Sequence, residues 1–398
     1  MKTSASRITI SLLLCLGLRV QGSQAAGASR ETMDEIARQA TEAWKVIEPQ
    51  SGLAEFTASH RGNRLAWNAA CILDSYIYLY EATRDGKYLA AIPKHADLIF
   101  DNRADRWGIS DKLRGRVVKG WASTDYTTDH TPTCWMGHAA MILRPIIRWA
   151  YFVKADEKLR AKYGRKADQY LREAAESMLD FDSDWREGPT SGEGHYLGLY
   201  DAKYKTIRGG IQDQPIPFNY HSLAGRTFAW LWLTTGEQRF KLRAEKLGRF
   251  FKNRLRLEDN AYVWKYAVYR PDGYEDTGHS SMNVAFAVDA YRAGIVFDAQ
   301  DIGRFVNCLN RWYRGPEYMP ETIDGKGRAK SDHNMTRWAI LAHVSPQARK
   351  VAYEYMRPRW DAASGSRFRY MEGAAHLICS GQPTQFYQPL SESAFISK

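Results

Sequence analysis

Histidine recurs in one kind of local setting along this chain. Ser59-His60-Arg61-Gly62-Asn63, Thr128-Asp129-His130-Thr131, Asn219-Tyr220-His221-Ser222, Glu275-Asp276-Thr277-Gly278-His279-Ser280 and Ser331-Asp332-His333-Asn334 each set an imidazole among Ser, Thr, Asp or Asn, close to an apolar run. Those hydroxyl, amide and carboxylate groups accept hydrogen bonds from the free N–H groups that open a helix. Capping makes no demand for histidine. The repeated imidazole therefore points to proton transfer, and the helix starts around it to binding of an anion at positive dipole ends. No zinc-protease, phosphate-loop or nucleophile-elbow motif occurs, and the histidines lack compact ligand spacing, so neither metal nor cofactor is expected.

Helices must position these groups. Ala66, Ala70, Leu73, Ile77 and Tyr80 recur at steps of four and three, as do Ala139, Leu143, Ile146 and Ala150, then Ala224, Phe228 and Leu231, then Val284, Val288 and Tyr291. More highly charged helices are expected between them, at Lys87 to Phe100, Asp156 to Leu179, Glu237 to Leu255 and Ala299 to Trp312. Thr83-Arg84-Asp85-Gly86 and Thr234-Thr235-Gly236-Glu237 punctuate two of these pairs at equivalent places, a weak internal repeat. Apolar helices inside and charged ones outside give an all-α fold, an α/α toroid of six or seven helical hairpins, with short excursions such as an arm at Tyr262 to Tyr269. If the inner helices all begin at one mouth, their polar starts converge there. No Pro/Ser-rich linker divides the chain, so 26–398 reads as one domain.

The 398 residues, 44% of them hydrophobic, suffice for a large core. Residues 1–25 carry Lys2 and Arg7, an apolar run from Ile8 to Leu18 and a small-residue exit at Ser23-Gln24-Ala25, the pattern of a secretory leader. A secreted or periplasmic chain is expected. Discounting Lys2, Arg7 and Arg19 from the net +11 leaves +8, a surface suited to acidic partners. Outside the cytoplasm, nucleic acid gives way to acidic polysaccharide, and no further apolar stretch is long enough to call for a membrane. Cys71, Cys134, Cys308 and Cys379 lack paired spacing and read as core residues, with one disulfide left open.

A polyuronate cut by β-elimination needs its carboxylate neutralised, its C5 proton removed and its C4 oxygen protonated. Asn, Arg, His and Tyr supply these functions, and Trp and Tyr in loops make platforms for sugar rings. Asn219-Tyr220-His221-Ser222 resembles the Asn/His pair of toroidal alginate lyases. Tyr262-Val263-Trp264-Lys265-Tyr266 through Arg270, Tyr274 and Glu275-Asp276-Thr277-Gly278-His279 is similar to the inner loop and helix of toroidal uronate-active enzymes. The chain as a whole resembles polysaccharide lyase family 38, which acts on alginate or glucuronan. The resemblance implies that Asn219 and Arg270 neutralise the carboxylate, that His221 serves as base or as a further neutraliser, and that Tyr274, or alternatively Tyr266, serves as acid, or as both acid and base when proton and leaving group lie on the same face. His130, His279, Tyr266, Trp264, Tyr220, His60, Asn63, Trp135 and His333 would then contact substrate. Tyr220 separates an Asn and a His that are adjacent in the older alginate lyases, and on a helix positions 219 and 221 do not share a face. Three rivals stand beside this reading: an inverting hydrolase using Glu275 or Asp276 with Asp129, a uronate C5-epimerase, and a polysaccharide-binding accessory protein without catalysis.

Overall fold

The computed structural model describes residues 30–59, 61–199, 213–270, 273–330, 334–360 and 367–390; the leader reading at 1–25, His60 and His333 fall outside these. The helices that build the fold are α1 (Arg30–Ile47), α2 (Ala70–Thr83), α3 (Ile92–Asp101), α4 (Met136–Ala155), α5 (Glu157–Leu179), α6 (Phe218–Thr235), α7 (Gln238–Lys252), α8 (Thr277–Arg292), α9 (Ala299–Trp312), α10 (Met335–Trp338), α11 (Pro346–Met356) and α12 (Arg367–Cys379). The even-numbered helices pack neighbour on neighbour: α2 on α4, α4 on α6, α6 on α8, α8 on α10, α10 on α12, and α12 back on α2. That closes a ring. Outside it, α5 covers α4, α7 covers α6, α9 covers α8, and α11 covers the 3₁₀ turn Ala339–His343 that continues α10. The short helix Gly86–Ala90 covers α2, and α3 leans on α4. The amino-terminal helix α1 covers the last helix, α12, so the two ends of the chain complete one hairpin. An α/α toroid results, with six helical pairs among the described residues, the lower of the two expected numbers.

Burial explains which helices lie inside. Every residue of α6 from Phe218 to Thr234 is buried. On α5 only Ala167, Tyr170, Leu171, Ala174, Ser177 and Met178 are, one stripe at steps of three and four. Gly225 of α6 meets α8 so closely that an added Cβ would lie 2.5 Å from the Phe286 ring. Charges also bind the ring from within. Asp74 on α2 accepts from Arg144 at 2.7 Å and from Arg148 at 2.5 Å, both on α4, and Arg226 on α6 donates to Asp289 on α8 at 2.6 Å. All five side chains are almost wholly buried, so each depends on its partner.

One end of the ring is sealed. Residues 384–390 cross the carboxyl-terminal ends of the inner helices: Thr384 donates to the His343 carbonyl, Tyr387 to Glu81, Tyr151 to the Gln388 carbonyl, Arg292 to the Gln385 carbonyl, and the Leu390 N–H to the Leu233 carbonyl. The other end, where the inner helices begin, carries the long connections. Antiparallel hairpins lie within them: β1 (Ser110–Asp111) with β2 (Arg116–Val117), β3 (Ala122–Ser123) with β4 (Thr133–Cys134), β5 (Trp185–Glu187) with β6 (Gly194–Tyr196), and β7 (Arg256–Glu258) with β8 (Ala261–Val263). The arm expected at Tyr262 to Tyr269 is thus shorter and lies earlier, and the chain leaves the sheet at Trp264. Cys71, Cys134, Cys308 and Cys379 are buried and free, so the disulfide left open by the sequence does not form.

Asp74→Asn leaves two buried guanidiniums short of a counter-charge and is expected to lower unfolding free energy by about 3–5 kcal/mol, read from denaturant melts. Glu42→Gln, at an exposed carboxylate beside Lys45, should have little effect.

Candidate active site

Asp276 begins α8. Its Oδ1 accepts from the N–H groups of Gly278 (2.9 Å) and His279 (2.8 Å), which caps the helix. Its Oδ2 takes a short hydrogen bond from His279 Nδ1, one turn further on. The spacing of three residues from an N-cap makes this pairing available, because the side chain at that position rises beside the cap. With Nδ1 bound to a carboxylate, the imidazole keeps its lone pair on Nε2, the arrangement that turns histidine into a base. Nε2 has no hydrogen-bond partner among the described residues. The His279 side chain is 32% exposed.

A phenol and a guanidinium complete the cluster. The ring of Tyr266 lies 5.3 Å from that of His279, and Arg270 stands 5.5 Å from the Tyr266 ring centre. Arg270 is exposed, and no acid pairs with it among the described residues. Glu275, next to Asp276, is fully buried; one oxygen accepts the Asp276 N–H at 3.0 Å and the other has no partner among the described residues. Burial, with the Asp276 charge beside it, pushes the Glu275 carboxyl well above its usual range. Burial acts on Asp276 in the same sense but is outweighed by the His279 imidazole and the two capping N–H groups, so its pKa lies below the ordinary value. The pKa values of two adjacent carboxyls are thus displaced in opposite directions.

Other expected residues take different places. His221 is fully buried in the first turn of α6, its Nε2 accepts the Tyr196 N–H at 3.0 Å, and its ring packs on Phe250. Burial lowers its pKa to about 3. It ties β6 to α6, with its Nε2 lone pair engaged by the Tyr196 N–H. Asn219 is buried beside it with Oδ1 unpaired. Because α6 already starts at Phe218, positions 219 and 221 do point apart. Tyr274 donates to Glu258 of β7 at 2.8 Å, and Arg311 of α9 holds the same carboxylate, so its phenol is committed to the outer hairpin. Trp264 is wholly buried, donates to Asn283 and packs on Phe251 and Phe305; it belongs to the core and cannot be a sugar platform. His130 lies at the exposed tip of the β3–β4 hairpin with φ 57°, well before α4, so that histidine does not enter a helix. Trp135 and Tyr220 line a cleft, and Asn63 lies in the first turn leading to α2 with Oδ1 buried and unpaired.

The structure also adds residues that pattern reading passed over. Trp67 donates to the Tyr126 hydroxyl at 2.8 Å, and both rings flank His138, fully buried near the start of α4 with neither ring nitrogen bonded among the described residues. The start of α4 held this histidine only two residues inside the helix, a signal the sequence did contain. Glu275, Asp276 and His279 present ligand atoms within 4.8 Å of one another, the spacing of a metal cluster, but the direct Asp276–His279 bond accounts for that closeness.

No protein-family model matches the sequence, and no curated protein matches it. Among solved structures the chain is similar to the cellobiose 2-epimerase from Bacillus thermoamylovorans B4167, at 11% identity over 76% of each chain with a TM-score of 0.50. It is also similar to the α-1,6-mannanase of Salegentibacter sp. HEL1_6, at 13% identity over 88% of this chain and 98% of that one, TM-score 0.46. A third likeness is to an unsaturated glucuronyl hydrolase from Streptococcus agalactiae, at 12% identity over 89% and 81%, TM-score 0.46. At such identities the likeness to the epimerase speaks for the fold class, the α/α toroid, and for nothing finer.

A buried neutral Glu275 makes stability depend on pH. Its contribution is complete below the unfolded pKa of 4.5 and is lost as pH rises towards the higher folded value. Glu275→Gln should therefore equal the wild type near pH 4 and gain on it by about 1.4 kcal/mol per pH unit above that, measured by denaturant unfolding. A gap that does not vary with pH would mean that Glu275 is ionised in the fold.

Proposed function

We propose that this chain is a secreted or periplasmic polysaccharide lyase that cleaves a uronate-containing polysaccharide by β-elimination at the start of α8. Residues 26–398 would form one catalytic domain behind the leader. The observation that carries the reading is the imidazole of His279, fixed by Asp276, facing the Tyr266 ring with Arg270 beyond it. In the reaction His279 Nε2 takes the C5 proton and the C5–H pair forms the C4=C5 double bond. The C4–O4 bond breaks, and the Tyr266 hydroxyl protonates the leaving oxygen. Arg270 neutralises the uronate carboxylate as it takes up enolate charge. Asp276 stays ionised and stabilises the imidazolium, as an orienting carboxylate does for a catalytic histidine. The likeness of the Tyr262 to His279 stretch to toroidal uronate-active enzymes agrees with this scheme, with the roles moved from His221 and Tyr274 to His279 and Tyr266.

Hydrolysis by the neighbouring carboxyls fits less well. An inverting hydrolase keeps its carboxyls about 6.5–9.5 Å apart to admit water, and a retaining one about 5–5.5 Å. Glu275 and Asp276 lie within 4.8 Å, and Glu275 is sealed from solvent. Asp129, the proposed partner base, spends both oxygens on Thr131 at the β3–β4 tip.

His279→Ala should lower kcat/KM on the cleaved polyuronate by about 10²–10⁴-fold, followed by the ultraviolet absorbance of the unsaturated product. Tyr266→Phe should reduce kcat more than it changes KM, and Tyr274→Phe should leave both as they were. New reducing ends without absorbance would overturn the lyase in favour of a hydrolase. Deuterium entering uncut polymer would mark an epimerase.

A further inference from the structure

A cavity lies on the axis of the ring, deeper than the dyad. Arg144 of α4, Arg226 of α6, Ala285 of α8, Arg337 of α10 and Glu372 of α12 line it, so five of the six inner helices meet there. Ala285 follows His279 by about two turns of α8. The space takes about one particle of the size of a water molecule. Met141 and Met282 form part of the wall, and their unbranched thioether chains can adjust to a slightly larger occupant.

Charge decides what that particle is. Three guanidiniums and one carboxylate line the cavity, a net of two positive charges. Asp74 and Asp289, the partners of Arg144 and Arg226, do not line it. Burial holds the pKa of His376, on the same wall, well below the usual histidine range, so the imidazole adds no cation at neutral pH. The donors are not used up either. Arg144 gives Nη2 to Asp74 at 2.7 Å, but its Nε is buried without a partner among the described residues, on an almost wholly buried side chain. Arg226 gives Nε to Asp289 and Nη2 to the Tyr78 hydroxyl, and Arg337 gives Nε to Glu372 and Nη2 to Cys71 Sγ. Guanidiniums gathered without enough counter-charge repel one another, and an anion between them offsets that cost. Arg337, at 15% the most exposed of the three, marks the side from which an ion would enter.

We infer that this cavity binds a small monovalent anion, a halide such as chloride, which ties the inner helices together at the ring axis. The space is too small for a sulfate, a phosphate or a sugar carboxylate, and water carries no charge to answer the guanidiniums. Such a site would stand whatever reaction the rim performs.

The test melts the full chain at constant ionic strength while sodium chloride replaces sodium gluconate. Chloride should raise the melting temperature by a few degrees along a saturating curve. Ala285→Val, which adds two methyl groups to the wall and leaves every charge in place, should abolish that dependence. Glu372→Gln, which removes the one carboxylate of the wall, should lower the chloride concentration at half-saturation several-fold. In crystals grown from bromide, an anomalous peak should lie between Arg144, Arg226 and Arg337. A melting temperature indifferent to chloride, a rise that Ala285→Val leaves unchanged, a half-saturation that Glu372→Gln does not lower, or no bromide at the cavity overturns the assignment. Should Ala285→Val not fold, the Glu372→Gln shift and the bromide peak decide between anion and water.

Discussion

One carboxylate, that of Asp276, serves two ends at once. Its first oxygen caps α8 and its second holds the His279 imidazole, so the geometry of the base is fixed by the same group that fixes the helix. A histidine steadied in this way loses little rotamer freedom when substrate arrives, and its tautomer is set before any reaction begins. The arrangement works only if Asp276 stays charged. Burial raises the pKa of Glu275 and so disfavours the like charge that would oppose Asp276, and adjacent carboxyls with separated pKa values result.

The ring exists, in physical terms, to deliver that corner to a shared rim. Each inner helix but the last is followed by an outer one running back, and α12 is covered by α1 instead, so the inner helices run in parallel and their starts gather at one end. Buried ion pairs such as Asp74 with Arg144 and Arg148 link neighbouring inner helices along the way. The segment 384–390 closes the opposite end through side chains as far apart in sequence as Glu81 and Tyr387. Access is thereby left to the rim, where the β-hairpins and loops build walls around the helix starts.

Periodicity made the fold legible. Steps of three and four marked the helices, and the contrast between the wholly buried α6 and the one-striped α5 is the two-layer pattern that the composition of the segments implied. The site was legible only in part. Of the helix starts carrying His, the one at α8 brings Arg270, Tyr266 and His279 together. The error lay in treating equivalent sequence positions as equivalent exposures. His221 and His279 both sit in first turns, but β6 covers the former and its ring nitrogen is spent on the Tyr196 N–H. Tyr274 was drawn away by Glu258, a partner 16 residues back on a hairpin whose register the sequence does not display. Trp264 shows the same limit: an aromatic in a loop-like segment was packed inward against Phe251 and Phe305. Local pattern reports where a helix begins, and tertiary cover decides which of its side chains reaches solvent.

The account turns on breakage of a C–H bond at the sugar C5 by His279. A polyuronate deuterated at C5 reads that step directly. The account predicts a primary kinetic isotope effect on kcat/KM when this polymer is compared with its protiated form, with unsaturated ends appearing in step with chain cleavage. Cleavage at equal rates from the two polymers, giving saturated reducing ends, would contradict it.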